Sequence, residues 1–140
     1  MCWTNLWSIN SSAYSDVFRQ FTMATLGTAP EPTELRINSS RLRPTAVTFT
    51  LTVNMCDCDA VIGSREPQQP REIEVESWLN WIHGLPAAVP HVSRLAVLHT
   101  WSPDDRTTPT HAKGIQITQA DERILRAIGE DSLLTMDAPR

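Results

Sequence analysis

The chain has 140 residues, of which 41% are hydrophobic and 20% are charged, and its formal net charge is −4. These values predict one soluble globular domain over residues 1–140 and exclude a disordered chain. The 12 basic residues are spread along the chain, and the densest basic patch, Arg41-Leu42-Arg43, is interpreted as a solvated edge. We therefore expect neither nucleic acid nor an anionic membrane as a partner.

The first half of the chain predicts a strand, a helix and two further strands. Alternating residues indicate a strand over 2–9, and helical spacing indicates a helix over 15–26 with Gly27 at its end. A weak strand candidate follows at 35–38. The clearest strand is TAVTFTLTV at 45–53, where apolar side chains alternate with threonines. This alternation predicts a sheet that is covered on one face only.

The second half predicts two helices, three strands and a polar loop. They are a helix over 72–83 that ends before Gly84 and Pro86, a strand over 92–101, a polar loop over 102–111, a short strand at 115–117, a helix with Thr118 as its N-cap and a strand over 133–136. The first six elements have the βαββαβ order of a ferredoxin-like two-layer α+β sandwich. The remaining elements form a C-terminal β-α-β extension.

The three cysteines suggest one site for chemistry. Cys56 and Cys58 lie in the stretch NMCDCD, and Cys2 is near the start of the chain. In a ferredoxin-like sheet with the strand order 4-1-3-2, strands three and four run antiparallel to strand one. The start of strand one and the ends of strands three and four then share one edge, where Cys2, Cys56, Cys58 and His99 would meet.

Three thiolates and one imidazole form a tetrahedral zinc set, so we predict a zinc site at Cys2, Cys56, Cys58 and His99. Asp57 and Asp59 would lie beside it or stay solvated. Two alternatives stay open. The cysteines can be buried apolar residues with His99 as a hydrogen-bonded strand residue. The second alternative is a cysteine thiol that acts as a nucleophile after activation by His99, although adjacent carboxylates raise the pKa of a thiol.

Aromatic and acidic residues allow further interpretations. Trp78 and Trp81 lie three apart on one helix, and we expect them in the core, where Trp3, Trp7 and Trp101 could join them. The alternative is an exposed aromatic groove that binds a peptide or small ligand. Asp104-Asp105 is interpreted as a charged turn, because no glycine-rich calcium loop surrounds it.

Several short motifs together resemble a set of small uncharacterised bacterial proteins. They are the Met-Cys opening, a Thr-rich strand that runs into CDCD, a strand that ends in LHTW, and the closing ITQADERILRAIGEDSLLTM. The resemblance implies that Cys2, Cys56 and Cys58 belong to the pattern of the fold. It carries over no catalytic residue and no assigned activity.

These observations predict a non-enzymatic binding or interaction module, with zinc as its cofactor. A protein or a small ligand would be its partner, and the Thr-rich sheet face suits a homodimer. The alternative function is a small enzyme that uses a zinc or thiol site near residues 102–111. The N-terminus lacks a secretion signal, no apolar run is long enough for a membrane span, and the cysteines are odd in number, so we expect a cytoplasmic protein.

Overall fold

A computed structural model describes residues 3–52, 57–58, 60–64, 73–101 and 103–140. These residues form helices and strands in mixed order, which confirms the α+β class. The strands are β1 (Trp3–Ile9), β2 (Glu31–Pro32), β3 (Arg36–Ile37), β4 (Val47–Thr50), β5 (Arg94–Trp101), β6 (Arg106–Thr107), β7 (His111–Gln116) and β8 (Ser132–Asp137). The helices are α1 (Asp16–Leu26), α2 (Val75–Ala88) and α3 (Glu122–Arg126).

Six of the described strands form one sheet in the order β2-β4-β1-β5-β8-β7. Strand β1 is central and pairs antiparallel with both β4 and β5. Strand β8 pairs antiparallel with β5 and parallel with β7. The predicted C-terminal extension is therefore part of the main sheet, which is larger than the four strands of the predicted sandwich.

The strand predicted at 35–38 pairs differently from the expectation. Strand β3 pairs in parallel with β6 in a separate two-stranded sheet. The edge of the main sheet beside β4 is instead β2, where the sequence predicted no strand. Pro32 suits this position because proline has no N–H for a second neighbour and is confined to edges.

The ends of the helices follow local side-chain chemistry. Helix α1 begins after Ser15, whose Oγ accepts a hydrogen bond from the Phe18 N–H at 3.3 Å, and it ends at Gly27 with φ of 76°, as predicted. Helix α3 is capped by Asp121 rather than by Thr118, because the Asp121 carboxylate accepts from the Ile124 N–H at 2.8 Å.

Helix α2 continues to Ala88, beyond the end that Gly84 and Pro86 predict. Gly84 serves helix packing instead of helix termination, because a Cβ at this position would lie 2.9 Å from Cζ of Phe21 on α1. Helices α1 and α2 therefore approach closely on one face of the sheet. Pro86 lies in the last turn, where few backbone hydrogen bonds remain to be lost.

Apolar side chains cover both faces of the sheet. On the helix face, Trp7 stacks on Trp78 at a ring distance of 5.4 Å and Trp81 is fully buried, which confirms the core position of Trp78 and Trp81. The opposite face buries four apolar side chains under a segment that precedes β4. They are Leu6, Ala96, Leu98 and Leu133, beneath Leu35, Ile37 and Leu42. The expectation of a sheet covered on one face only is therefore wrong.

Candidate functional site

The first residues of β1 lie where β4 separates from it. Strand β1 pairs with β5 along its whole length but with β4 only from Trp7 to Ile9. Asp57 takes the place of the missing strand. Its backbone N–H donates to the Trp3 carbonyl at 3.0 Å, and its Oδ2 accepts from the Asn5 N–H at 2.7 Å. One aspartate thus satisfies backbone groups that would otherwise be unpaired.

The register of β1 and β5 places three aromatic rings together. Trp3 lies opposite Trp101, and Asn5 lies opposite His99. The Trp3 ring stacks on His99 with centroids 4.3 Å apart and an interplanar angle of 8°. Trp101 meets Trp3 edge-on at 5.2 Å and is 44% exposed. Cross-strand neighbours on one face of a sheet interact in this way, so the strand register itself builds the aromatic group.

His99 is buried and held in one orientation. Its Nδ1 lies 2.8 Å from Oδ1 of Asn5, which is only 2% exposed. Because a carboxamide oxygen only accepts, Nδ1 carries the proton and Nε2 has the lone pair. Burial lowers the pKa of His99, and the nearby Asp131 carboxylate opposes this shift. His99 is therefore neutral near pH 7.

Gly63 closes over the His99 ring. It has φ of +77°, and a Cβ at this position would lie 2.5 Å from His99 Nε2. Its N–H donates to the Leu125 carbonyl at 2.9 Å, which ties the segment to α3. Both the backbone conformation and the close approach require glycine here.

These elements surround a cavity of about 490 Å³, which we call the aromatic cavity. Its lining includes Trp3, Asp57, Cys58, Gly63, His99 and Glu130. The described lining residues contribute two carboxylates and no lysine or arginine. Burial raises the pKa of Asp57, while its hydrogen bonds from Asn5 and Thr52 lower it. A half-buried carboxylate beside aromatic rings favours a ligand of positive charge.

Two of the four predicted zinc ligands, Cys58 and His99, line this cavity. Cys58 is exposed at its edge. The other two, Cys2 and Cys56, lie outside the described residues, as does Asp59. Among the residues that the structure describes, no group of three or more His, Cys, Asp or Glu side chains is placed to hold a metal ion. The four-ligand zinc site stays a prediction.

No pattern in the sequence pointed to several residues of the site. Asn5 and Gly63 occur in a strand pattern and a loop, and only the folded chain shows that they fix His99. Trp3 and Trp101 do not join the core tryptophans: Trp3 lines the cavity, and Trp101 packs edge-on against Trp3. Asp104 and Asp105 are exposed and precede β6, as expected for a turn.

Comparison with known proteins gives no relative: no family model, curated protein or solved structure matches this chain. The resemblance to small bacterial proteins therefore stays a prediction. Within the described residues, no helix is both long enough and apolar enough to cross a membrane.

Proposed function

We propose that this protein is a non-enzymatic binding module whose aromatic cavity takes a small organic ammonium cation. The observation that carries this proposal is the stacked Trp3–His99 pair, which lines the cavity beside the half-buried Asp57 carboxylate, with Trp101 edge-on to Trp3. Aromatic faces attract cations by about 0.5–2 kcal/mol each, with the larger values at desolvated sites. A cavity of about 490 Å³ is within the range of small-molecule sites.

The carboxylate of Asp57 supplies the charge that complements such a ligand. Both hydrogen bonds to this carboxylate, from the Asn5 N–H and the Thr52 hydroxyl, end on Oδ2. In the described part of the chain Oδ1 has no such bond, so it can face a ligand. Burial makes the charged form of Asp57 costly, and a cation bound nearby would offset that cost.

The position of His99 supports binding rather than thiol catalysis. A base that activates Cys58 needs an imidazole nitrogen directed at the sulfur. Nδ1 of His99 instead faces Asn5, and Nε2 lies against Gly63. The alternative of a small enzyme with a zinc or thiol site at the 102–111 loop has no comparable geometric support.

A matched pair of ligands tests the proposal. Choline and its neutral isostere 3,3-dimethylbutan-1-ol have the same shape and differ in charge. We expect choline to bind with Kd below about 10 mM and the neutral isostere to bind at least about tenfold more weakly, as measured by NMR titration. Equal binding of both compounds, or binding of neither, would contradict a cation site.

Matched variants locate the binding. Asp57→Asn keeps an oxygen acceptor for the Asn5 N–H but removes the charge, so choline binding should weaken by roughly tenfold while the fold persists. Asp104→Asn makes the same charge change at an exposed turn and should leave the choline affinity unchanged. If both variants bind choline like the wild type, the aromatic cavity is not the site.

We keep the zinc site as a separate proposal for the same end of the sheet. Cys58 and His99 both line the cavity, which supports it, but His99 would have to turn Nε2 away from Gly63 or Nδ1 away from Asn5 to bind a metal. Metal analysis of protein purified without added zinc tests the zinc-site proposal. Stoichiometric zinc would support the site, and its absence would contradict it.

We also infer that the fold is an enlarged ferredoxin-like sandwich. The run β2-β4-β1-β5 has the 4-1-3-2 order of that fold when read from β5, with antiparallel neighbours throughout. Helices α1 and α2 pack against each other, as they do in that fold.

The cytoplasmic location, a protein partner and a homodimer stay predictions. The homodimer was expected to form through an open threonine face of the sheet, but Thr48 is only 5% exposed and adds little to such a face.

A further inference from the structure

A second cavity lies at the opposite end of β1, and it has the opposite charge. It encloses about 860 Å³ between the end of β1, the start of β5, the end of β8 and residues 41–46. The charged side chains that line it are Arg41, Arg43, Arg94, Arg140 and Asp137, with a net charge of +3. We call it the basic cleft.

The positive charge of the cleft is opposite in sign to the net charge of the rest of the chain. The whole chain has a net charge of −4, so the residues outside the cleft carry −7. Such an acidic surface repels an extended polyanion such as nucleic acid, which contacts many sites. A compact anion enters the cleft without meeting that surface. The interpretation of Arg41 and Arg43 as a merely solvated edge therefore changes once their neighbours are known.

Arg94 is already neutralised and holds the cleft together. Its Nε and Nη2 donate to the two carboxylate oxygens of Asp137 at 2.5 and 3.1 Å. Its Nη1 donates to the backbone carbonyl of Arg41 at 2.5 Å. Arg94 thus fixes the segment that carries Arg41 and Arg43, and its role is positioning.

The other arginines of the cleft differ from Arg94. Within the described residues, Arg41, Arg43 and Arg140 form no ion pair. The Arg41 guanidinium lies over Gly114, because a Cβ there would lie 3.2 Å from Arg41 Nη1. Unpaired guanidinium groups that converge on one cavity present planar donor pairs, which match phosphate oxygens.

The wall opposite these arginines is ordered and polar. Oδ1 of Asn10 accepts from the backbone N–H groups of Ser93 and Arg94, at 2.9 and 3.3 Å. Its Nδ2 donates to the His91 carbonyl at 2.7 Å, and His91 is held at φ of 68°. Non-glycine residues in this conformation are uncommon and cluster at functional sites.

We propose that the basic cleft binds a phosphorylated small molecule. Its volume suits a ligand of metabolite size, and serine and threonine hydroxyls line it beside the arginines. The lining contains no Trp, Tyr or Phe side chain on which a nucleobase would stack, so a polar phosphorylated compound fits better than a nucleotide.

The test uses inorganic pyrophosphate as the probe and citrate as a carboxylate of comparable charge. We expect pyrophosphate to bind with Kd of about 1 mM or lower at low salt, and citrate to bind at least about fivefold more weakly. The pyrophosphate affinity of Arg41→Gln/Arg43→Gln should fall by roughly tenfold or more. Arg123→Gln removes an equivalent exposed charge on α3 and should keep the wild-type affinity.

Three results would overturn the proposal. They are no pyrophosphate binding, equal affinity for citrate, and equal loss of affinity in Arg41→Gln/Arg43→Gln and Arg123→Gln. Arg41 and Arg43 are exposed, so their substitution should not unfold the chain, and circular dichroism of each variant checks this. A single substitution, Arg43→Gln, gives a second measure and should lower the affinity by a smaller factor than the double variant.

Discussion

The two ends of β1 differ in how they satisfy their polar groups. At its start, the half-buried Asp57 accepts from the strand backbone, and the buried Asn5 holds the buried His99. At its end, Asn10 binds the backbone of residues 91–94 and the Ser12 hydroxyl, and within the described residues Arg41 and Arg43 form no ion pair in a wide cleft. The side chains around the aromatic cavity therefore contribute to the stability of the fold, whereas the arginines of the basic cleft contribute little to it.

This difference predicts where substitutions are costly. Changes at the aromatic cavity should lower the free energy of unfolding, because each side chain there completes a buried network. Changes at the basic cleft should alter ligand affinity and leave stability nearly unchanged. Three comparisons test this contrast.

The largest effect is expected at Gly63. Gly63→Ala combines a left-handed φ with a contact of 2.5 Å to His99 Nε2, so it should destabilise the protein by about 3 kcal/mol. Gly27→Ala is the matched control, because Gly27 has φ of +76° but nothing within 4 Å of the added Cβ. The control should lose only about 1 kcal/mol. Urea denaturation of both variants gives the two losses of unfolding free energy. Equal losses would show that the contact with His99 does not add to the cost of Gly63→Ala.

A smaller effect is expected at His99, and it depends on pH. His99→Phe keeps a ring against Trp3 but leaves the buried Asn5 amide without its partner, which should cost about 2 kcal/mol at neutral pH. Unfolding free energies at several pH values measure both this cost and its pH dependence.

The sign of the pH dependence follows from the lowered pKa of folded His99. The stability that neutral His99 contributes is complete above its unfolded pKa of about 6.5 and is lost as the pH falls toward the lower folded value. Asp57 acts in the opposite direction at more acidic pH, because its raised pKa makes the folded state bind a proton first. His99→Phe should therefore flatten the loss of stability between about pH 7.5 and 5.5. An unchanged slope would show that His99 is not the titrating group.

The smallest effects are expected at His91 and Asp131, two non-glycine residues with left-handed backbone, one at each end of β1. Asp131 has φ of 54°, and its Oδ1 accepts from the Thr100 hydroxyl at 2.6 Å. Asp131→Gly should lose about 1 kcal/mol, because this hydrogen bond outweighs the relief of strain. For the exposed His91, His91→Gly should be neutral or stabilising by up to about 1 kcal/mol. Thermal unfolding compares the variants, and a greater loss at His91 would reverse the proposed contrast.

The sequence predicted the helices and strands better than it predicted which of their residues come into contact. Alternation and caps located β1, β4, β5 and α1 because those signals are local. The aromatic cavity depends on the register that sets Trp3 against Trp101 and Asn5 against His99, and no local pattern encodes a register between distant strands. Arg94 and Arg140 of the basic cleft are likewise far along the chain from Arg41 and Arg43. Strand order predicted that Cys2, Cys56, Cys58 and His99 lie together as zinc ligands, and of these the described residues Cys58 and His99 line the aromatic cavity.

The most direct test of the account is one NMR experiment with two titrations of the same sample. Choline should shift the Trp3 and Trp101 indole resonances and the backbone amides of 57–58 and 60–64. Pyrophosphate should shift the amides of 41–43, 45–46 and 91–94 and leave the indoles unmoved. If both compounds shift the same set of resonances, or if neither produces a saturable shift, the two ends of β1 are not separate sites of opposite charge preference.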